Sequence, residues 1–97
     1  MPTKKVQIFY IYSEHCDSCK KALETVEKAI KVSKIPCEIL KFKYNTNVAV
    51  NIAMNNDIDD LPGFVVGAGQ GVFKGTNYTE AKIVEAIKKA HDVEINN

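Results

Sequence analysis

The chain has no tryptophan and no arginine, and all 13 of its basic residues are lysine. Arginine carries a planar fork of donors that matches phosphates and guanine edges, so its absence counts against nucleic-acid recognition. Neither sign of charge is in excess. The formal net charge is +1, which leaves no strong field to recruit an acidic partner. Long apolar stretches are missing too. The run "VQIFYIY", Val6 to Tyr12, has 7 residues, against the ~20 that a membrane span needs. It follows a short basic start, Met1 to Lys5, and no small-residue cleavage site comes after it, so it does not read as a secretion signal. The expectation is a cytoplasmic protein without membrane or nucleic-acid partners. Cysteine is scarce, at 3 residues. That is too few for a disulfide scaffold. In a reducing compartment a close pair points instead to redox catalysis or metal binding.

What remains is ordinary globular material. A length of 97 residues with 45% apolar and 26% charged side chains suits one domain around one core. Residues 1–97 are read as that domain, with its core at about 4–90 and a tail at 91–97. Val6 to Tyr12 is rich in β-formers and reads as a strand buried on both faces. Cys19, Ala22, Leu23, Val26, Ala29 and Ile30 then recur at three- and four-residue steps, with lysines and glutamates between them. This pattern predicts an amphipathic helix of about four turns. Pro36 ends it, because proline disfavours helical geometry in the residue before it. "CEILKFKY", Cys37 to Tyr44, reads as an edge strand whose lysines tolerate solvent.

Asn47 to about Asn56 has helical spacing, with Asn45 or Asn47 as its cap. "DDLPG" is a turn, and two short strands flank the glycine-rich "GAGQG" as a hairpin. A last helix follows. Asn77 and Thr79 are candidate caps, and Asn77 with Glu80 has capping-box spacing. The tail "DVEINN" is expected to fray. Phe9, Tyr10 and Tyr12 are expected in the core, and His91 near a helix C-terminus, where the dipole favours it. The order is β-α-β-α-β-β-α, with a parallel first pair of strands and an antiparallel last pair.

The chemistry sits in "SEHCDSCK". A thiol attacks a disulfide only as thiolate, and a helix N-terminus favours that charge. Cys16 lies where a strand gives way to a helix, and Cys19 one turn further on. The first thiol is then exposed and nucleophilic, the second more buried and placed to resolve a mixed disulfide. His15 is read as a rim residue and Lys20 as electrostatic support for the thiolate, whereas Asp17 opposes it. The balance favours a reductant of disulfides over a strong oxidant.

The strand, "CDSCK", the helix, then "LPG" before a hairpin and a last helix resemble the thioredoxin/glutaredoxin family over about residues 4–90. The resemblance implies a thioredoxin fold in the α/β class, with a four-stranded mixed sheet and three flanking helices. It implies a dithiol–disulfide oxidoreductase that needs no cofactor beyond its own dithiol. Pro62 matches the family's cis-proline beside the redox pair. Leu61 before it would pair with an extended substrate through its backbone. The implied partners are disulfide-bearing proteins and an electron donor, either a reductase or a small thiol, and the chain is expected to act as a monomer. Some features depart from the pattern. The thioredoxin Trp-Cys-Gly-Pro-Cys stretch is replaced by His15-Cys16-Asp17-Ser18-Cys19. The buried aspartate that assists the second thioredoxin cysteine would fall at Tyr10. The glutaredoxin Gly-Gly-x-Asp element is replaced by "KGTNYTE", which weakens the case for glutathione.

Two other readings stand beside this one. The thiols could be small core residues, although one of them lies in a polar stretch. They could also carry a soft metal, since thiolates select Cu(I), and a strand, a Cys-x-x-Cys loop and a helix also resemble heavy-metal-associated domains. Those domains usually have methionine where this chain has Glu14. A closed zinc site needs four ligands, and only Cys16, Cys19 and His15 are near one another in sequence. Cys37 reads as a structural thiol at a strand start.

Overall fold

In the computed structural model, which describes residues 5–67, 69–75 and 77–96, every expected element forms. The elements are β1 (Val6–Tyr12), α1 (Asp17–Ser33), β2 (Cys37–Lys43), α2 (Asn47–Asn55), β3 (Gly63–Val66), β4 (Gly71–Lys74) and α3 (Glu80–Asn96). Most of the basic start, Ala68 of the glycine-rich connection and the last residue of the tail lie outside the described residues. The sheet order is β2-β1-β3-β4. β1 and β2 run parallel, from Val6 opposite Cys37 to Tyr12 opposite Lys43. β3 is antiparallel to β1 and to β4. This is the expected α/β architecture, a four-stranded mixed sheet with three helices.

The period-2 alternation of β1 divides the core between the two faces of the sheet. Val6, Ile8 and Tyr10 pack with Cys19, Ala22, Val26 and Ala29 of α1, with Ile83 and Ile87 of α3, and with Phe64 and Phe73. Ile11 points the other way and packs with Ala49 of α2, Ile58 and Val65. The aromatic trio of β1 is therefore not one cluster. Tyr10 and Tyr12 stack on one face with ring centroids 5.6 Å apart. Phe9 joins Phe42 on the other face, at 6.1 Å. Over the first face Phe64 contacts Phe73 at 5.2 Å and the edge of Tyr78 at 5.4 Å. α3 comes so close to β4 that a Cβ at Gly71 would stand 2.6 Å from the Ala86 methyl; no larger residue fits there without a shift.

The helix ends depart from expectation in instructive ways. α1 closes at Lys34, in the left-handed region at φ 59, with its N–H on the Ile30 carbonyl at 3.2 Å. The helix thus stops before Pro36 can disrupt it. α2 is capped by neither asparagine. Thr46 between them takes the extended conformation, and its Oγ1 accepts the Ala49 N–H at 3.3 Å. Thr79 likewise serves α3, accepting the Lys82 N–H at 3.2 Å. Asn77 is occupied with the Lys74 carbonyl through its own N–H and lies too far before Glu80 to cap. α3 runs on to Asn96 through the tail that was expected to fray. His91 consequently lies more than a turn from the helix end, beyond the reach of the terminal dipole. Among the described residues its buried Nδ1 has no hydrogen-bond partner.

Candidate active site

β1 ends at Tyr12, and α1 begins at Asp17 after four connecting residues. The loop between them is pinned at both sides. The Tyr12 carbonyl accepts the Tyr44 N–H at 2.8 Å. Glu14 pairs with Lys43 at 2.9 Å, and the hydrogen bond that the Lys43 ammonium donates to the Glu14 carboxylate raises the lysine above its ordinary value. Cys16 then takes the N-cap position of α1 in an extended conformation, φ −114 and ψ 101. Its Sγ accepts the Cys19 N–H at 3.1 Å. A helix N-terminus has free N–H groups and a partial positive charge, and here one of those groups is aimed at the sulfur. Negative charge on Cys16 is therefore stabilised by the backbone itself.

The two cysteines have Cα atoms 5.2 Å apart and sulfurs at disulfide distance. Cys16 is half-buried, whereas Cys19 is only 2% exposed. That asymmetry gives one thiol access to solvent and reserves the other for its neighbour. Ser18 brings its hydroxyl 3.3 Å from Cys16 Sγ, a contact not foreseen from the sequence. Its signal was present, since a hydroxyl residue at the second position of a helix lies within reach of a capping side chain. Beneath Cys19, the Tyr10 hydroxyl donates to the Cys19 carbonyl. Tyr10 thus stands inward against α1, at the position that the resemblance matches to the family's buried aspartate. A cavity of about 280 Å³ reaches Cys19 between Tyr12, Lys20 and Lys41.

β3 carries the second part of the site. Gly63 pairs with Ile11, so Pro62 falls level with the end of β1, at the sheet edge from which the cysteine loop departs. The Leu61–Pro62 peptide is cis. The Pro62 carbonyl accepts the Gly75 N–H at 2.8 Å. Leu61 is half-buried and packs against both core clusters, while Cys16 packs against the first. The fold therefore gathers Cys16, Cys19, Leu61 and Pro62 at one end of the sheet. His15 and Asp17 are exposed on either side of Cys16, and Lys20 is exposed on α1. Among the described residues none of these three hydrogen-bonds a sulfur.

Cys37 stands apart. It lies opposite Val6, at the end of β2 remote from the Cys16–Cys19 pair. Its thiol donates to the Ile35 carbonyl at 3.3 Å, and burial pushes its pKa up to about 11. Among the described residues no group of three or more potential metal ligands forms. The donor set at the site is two thiolates, which suits a two-coordinate soft ion but not a closed zinc site.

No protein-family model matches the sequence, and no curated protein does so. Solved structures with the same fold do match. The Schistosoma mansoni thioredoxin pre-protein aligns with a TM-score of 0.63 and 20% identity over 90% of this chain and 80% of its own. Mitochondrial thioredoxin 3 of Saccharomyces cerevisiae, in oxidised form, aligns at 0.60 with 22% identity over 90% and 81%. Thioredoxin-2 of the malaria parasite aligns at 0.61 with 18% identity over 88% and 82%. The chain is a thioredoxin-fold protein. Within that fold it carries a Cys-x-x-Cys pair at the start of the first helix.

Proposed function

We propose that the protein is a cytoplasmic thiol–disulfide oxidoreductase that reduces protein disulfides. The observation that carries this reading is the Cys16 sulfur at the N-cap of α1, with the Cys19 N–H on it at 3.1 Å and Cys19 itself buried. The Cys16 thiolate attacks one sulfur of a substrate disulfide. A mixed disulfide forms and the other substrate sulfur leaves as a thiolate. Cys19, once deprotonated, attacks Cys16 Sγ. The Cys16–Cys19 disulfide forms and the second substrate sulfur leaves. Two electrons have passed from the dithiol to the substrate, and an external reductase or small thiol restores them. Leu61 and Pro62 line the approach, and the Leu61 backbone is where an extended segment would pair. His15, Asp17 and Lys20 set the charge around the nucleophile.

Equilibration with defined thiol–disulfide buffers, counting free thiols at each potential, tests the reading. Two thiols should be lost together at one potential, and Cys16→Ser should abolish the transition. A potential in the strongly oxidising range would sink the reductase assignment. Absence of an internal disulfide, with stoichiometric Cu(I) held by the reduced protein, would replace it by metal carriage.

A further inference from the structure

Beside Leu61 the surface opens into a groove of about 940 Å³, bounded by α2 and the turn that precedes β3. Part of its wall is apolar and exposed. Tyr44 is 49% exposed, Val50 44% and Met54 73%. Large apolar side chains gathered in one concavity mark an interaction surface. The rim is acidic. Asp57, Asp59 and Asp60 line it against a single ammonium, that of Lys74. Lys74 is already committed, to Asp59 at 2.9 Å and to the Asp57 carbonyl at 3.1 Å. Among the described residues Asp57 and Asp60 are in no salt bridge, so two carboxylates of the rim remain uncompensated.

Asp60 has a specific position. Its Oδ1 accepts the Leu61 N–H at 3.1 Å. Its other oxygen lies over Gly75, where a Cβ would stand 2.6 Å away. Gly75 has φ +61 and no side chain to obstruct the carboxylate. The carboxylate therefore covers the same N–H that an added strand would use. A cationic side chain arriving with the substrate would draw Asp60 off that N–H and free it for backbone pairing.

We propose that the groove selects disulfide substrates whose reactive half-cystine is flanked by an apolar residue and by lysine or arginine. This rests on the oxidoreductase reading above and specifies its substrate class. Apolar side chains of the segment seat against Tyr44, Val50 and Met54, and its cations meet Asp57 and Asp60.

Two synthetic peptides test it, each with one cysteine held as a mixed disulfide with 2-thiopyridine beside a leucine. One carries two lysines and the other two glutamates in their place. Release of thiopyridone by the reduced protein is timed for each and divided by the rate with mercaptoethanol, which removes intrinsic reactivity. The normalised lysine-to-glutamate ratio should be about 10, a charge-steering effect at the low end of its usual range, and should shrink with added salt. In the Asp57→Asn/Asp60→Asn variant the ratio should fall towards one; because it is a ratio, any general change in reactivity cancels. A ratio near one in the unmodified protein, or one unchanged in the variant, overturns the proposal. Uncharged dithiodipyridine separates the two possible failures. If it is reduced while the peptides are not distinguished, only the groove assignment fails. If it is not reduced at all, the oxidoreductase reading fails and the substrate class with it.

Discussion

The hydroxyl of Tyr10 donates a hydrogen bond to the backbone carbonyl of Cys19 across 2.5 Å. Tyr10 is 4% exposed, so the contact ties the central strand to the first turn of α1 within the core. It fixes the backbone beneath the buried thiol without placing a carboxylate beside it. The Tyr10→Phe variant keeps the ring and removes only the donor. It should cost about 1 kcal/mol, the usual net worth of one buried hydrogen bond. A urea titration should show a lower midpoint with an unchanged slope. An unaltered midpoint would mean that the bond contributes nothing.

The same tyrosine and Cys37 set the alkaline limit of stability. Burial, and then the neighbouring Tyr12 and Tyr78 hydroxyls, push Tyr10 from its ordinary 10.0 up to about 12. Burial alone pushes Cys37 from 9.0 to about 11. Both groups are neutral when protonated, and both hold their protons more tightly folded than unfolded. Their contribution is therefore complete below about pH 9 and is lost as pH rises through about 11 for Cys37 and about 12 for Tyr10. Urea midpoints should fall across that window. Cys37→Ala should remove the first part of the decline. A Cys37→Ala profile that still tracks the unmodified protein between pH 9 and 11 would refute the assignment.

Most of the fold was legible because its periodicities are clean. The helical steps from Cys19 to Ile30 return as the buried stripe of α1, and Val6 to Tyr12 as the central strand. The close cysteine pair was legible because its spacing and its place between a strand and a helix jointly specify geometry. What escaped was decided by tertiary contacts or by one-residue margins. Phe9 and Tyr10 are adjacent in sequence, and strand alternation sends them to opposite faces. The carboxylate over the Leu61 N–H depends on Gly75, which lies distant in sequence and is brought close only by the hairpin. Asn45, Thr46 and Asn47 are all competent caps by composition, and only the backbone turn selects among them.

That selection can be measured. Thr46 Oγ1 accepts the Ala49 N–H at 3.3 Å and itself donates to the Lys43 carbonyl at 2.8 Å. Thr46→Ala removes both and should destabilise by about 1 kcal/mol, as lost caps do. Asn45→Ala and Asn47→Ala remove side chains outside the cap position and should each stay within about 0.5 kcal/mol of the unmodified protein. Equal losses at all three positions would show that the cap is shared.

Cys16 is both the proposed nucleophile and the N-cap of α1, and the two roles can be separated by choice of substitution. Serine is among the best N-cap residues and alanine among the worst. The Sγ that accepts the Cys19 N–H at 3.1 Å is replaced by an oxygen in Cys16→Ser and by nothing in Cys16→Ala. Against the reduced unmodified protein, which also lacks the disulfide, Cys16→Ser should therefore retain its stability to within about 0.5 kcal/mol, and Cys16→Ala should lose about 1 kcal/mol. Both should be inactive towards disulfides, since neither offers a thiolate at this position. Urea midpoints measured under reducing conditions, beside reduction rates for the same samples, give both quantities. If the two variants were equally stable, the cap would not depend on the side chain at position 16. The N–H at 3.1 Å would then be directed at the sulfur for chemistry alone. If instead alanine destabilises and serine does not, the bond that stabilises charge on the nucleophile also secures the first turn of the helix. The site would then have been built from the same interaction that starts the helix.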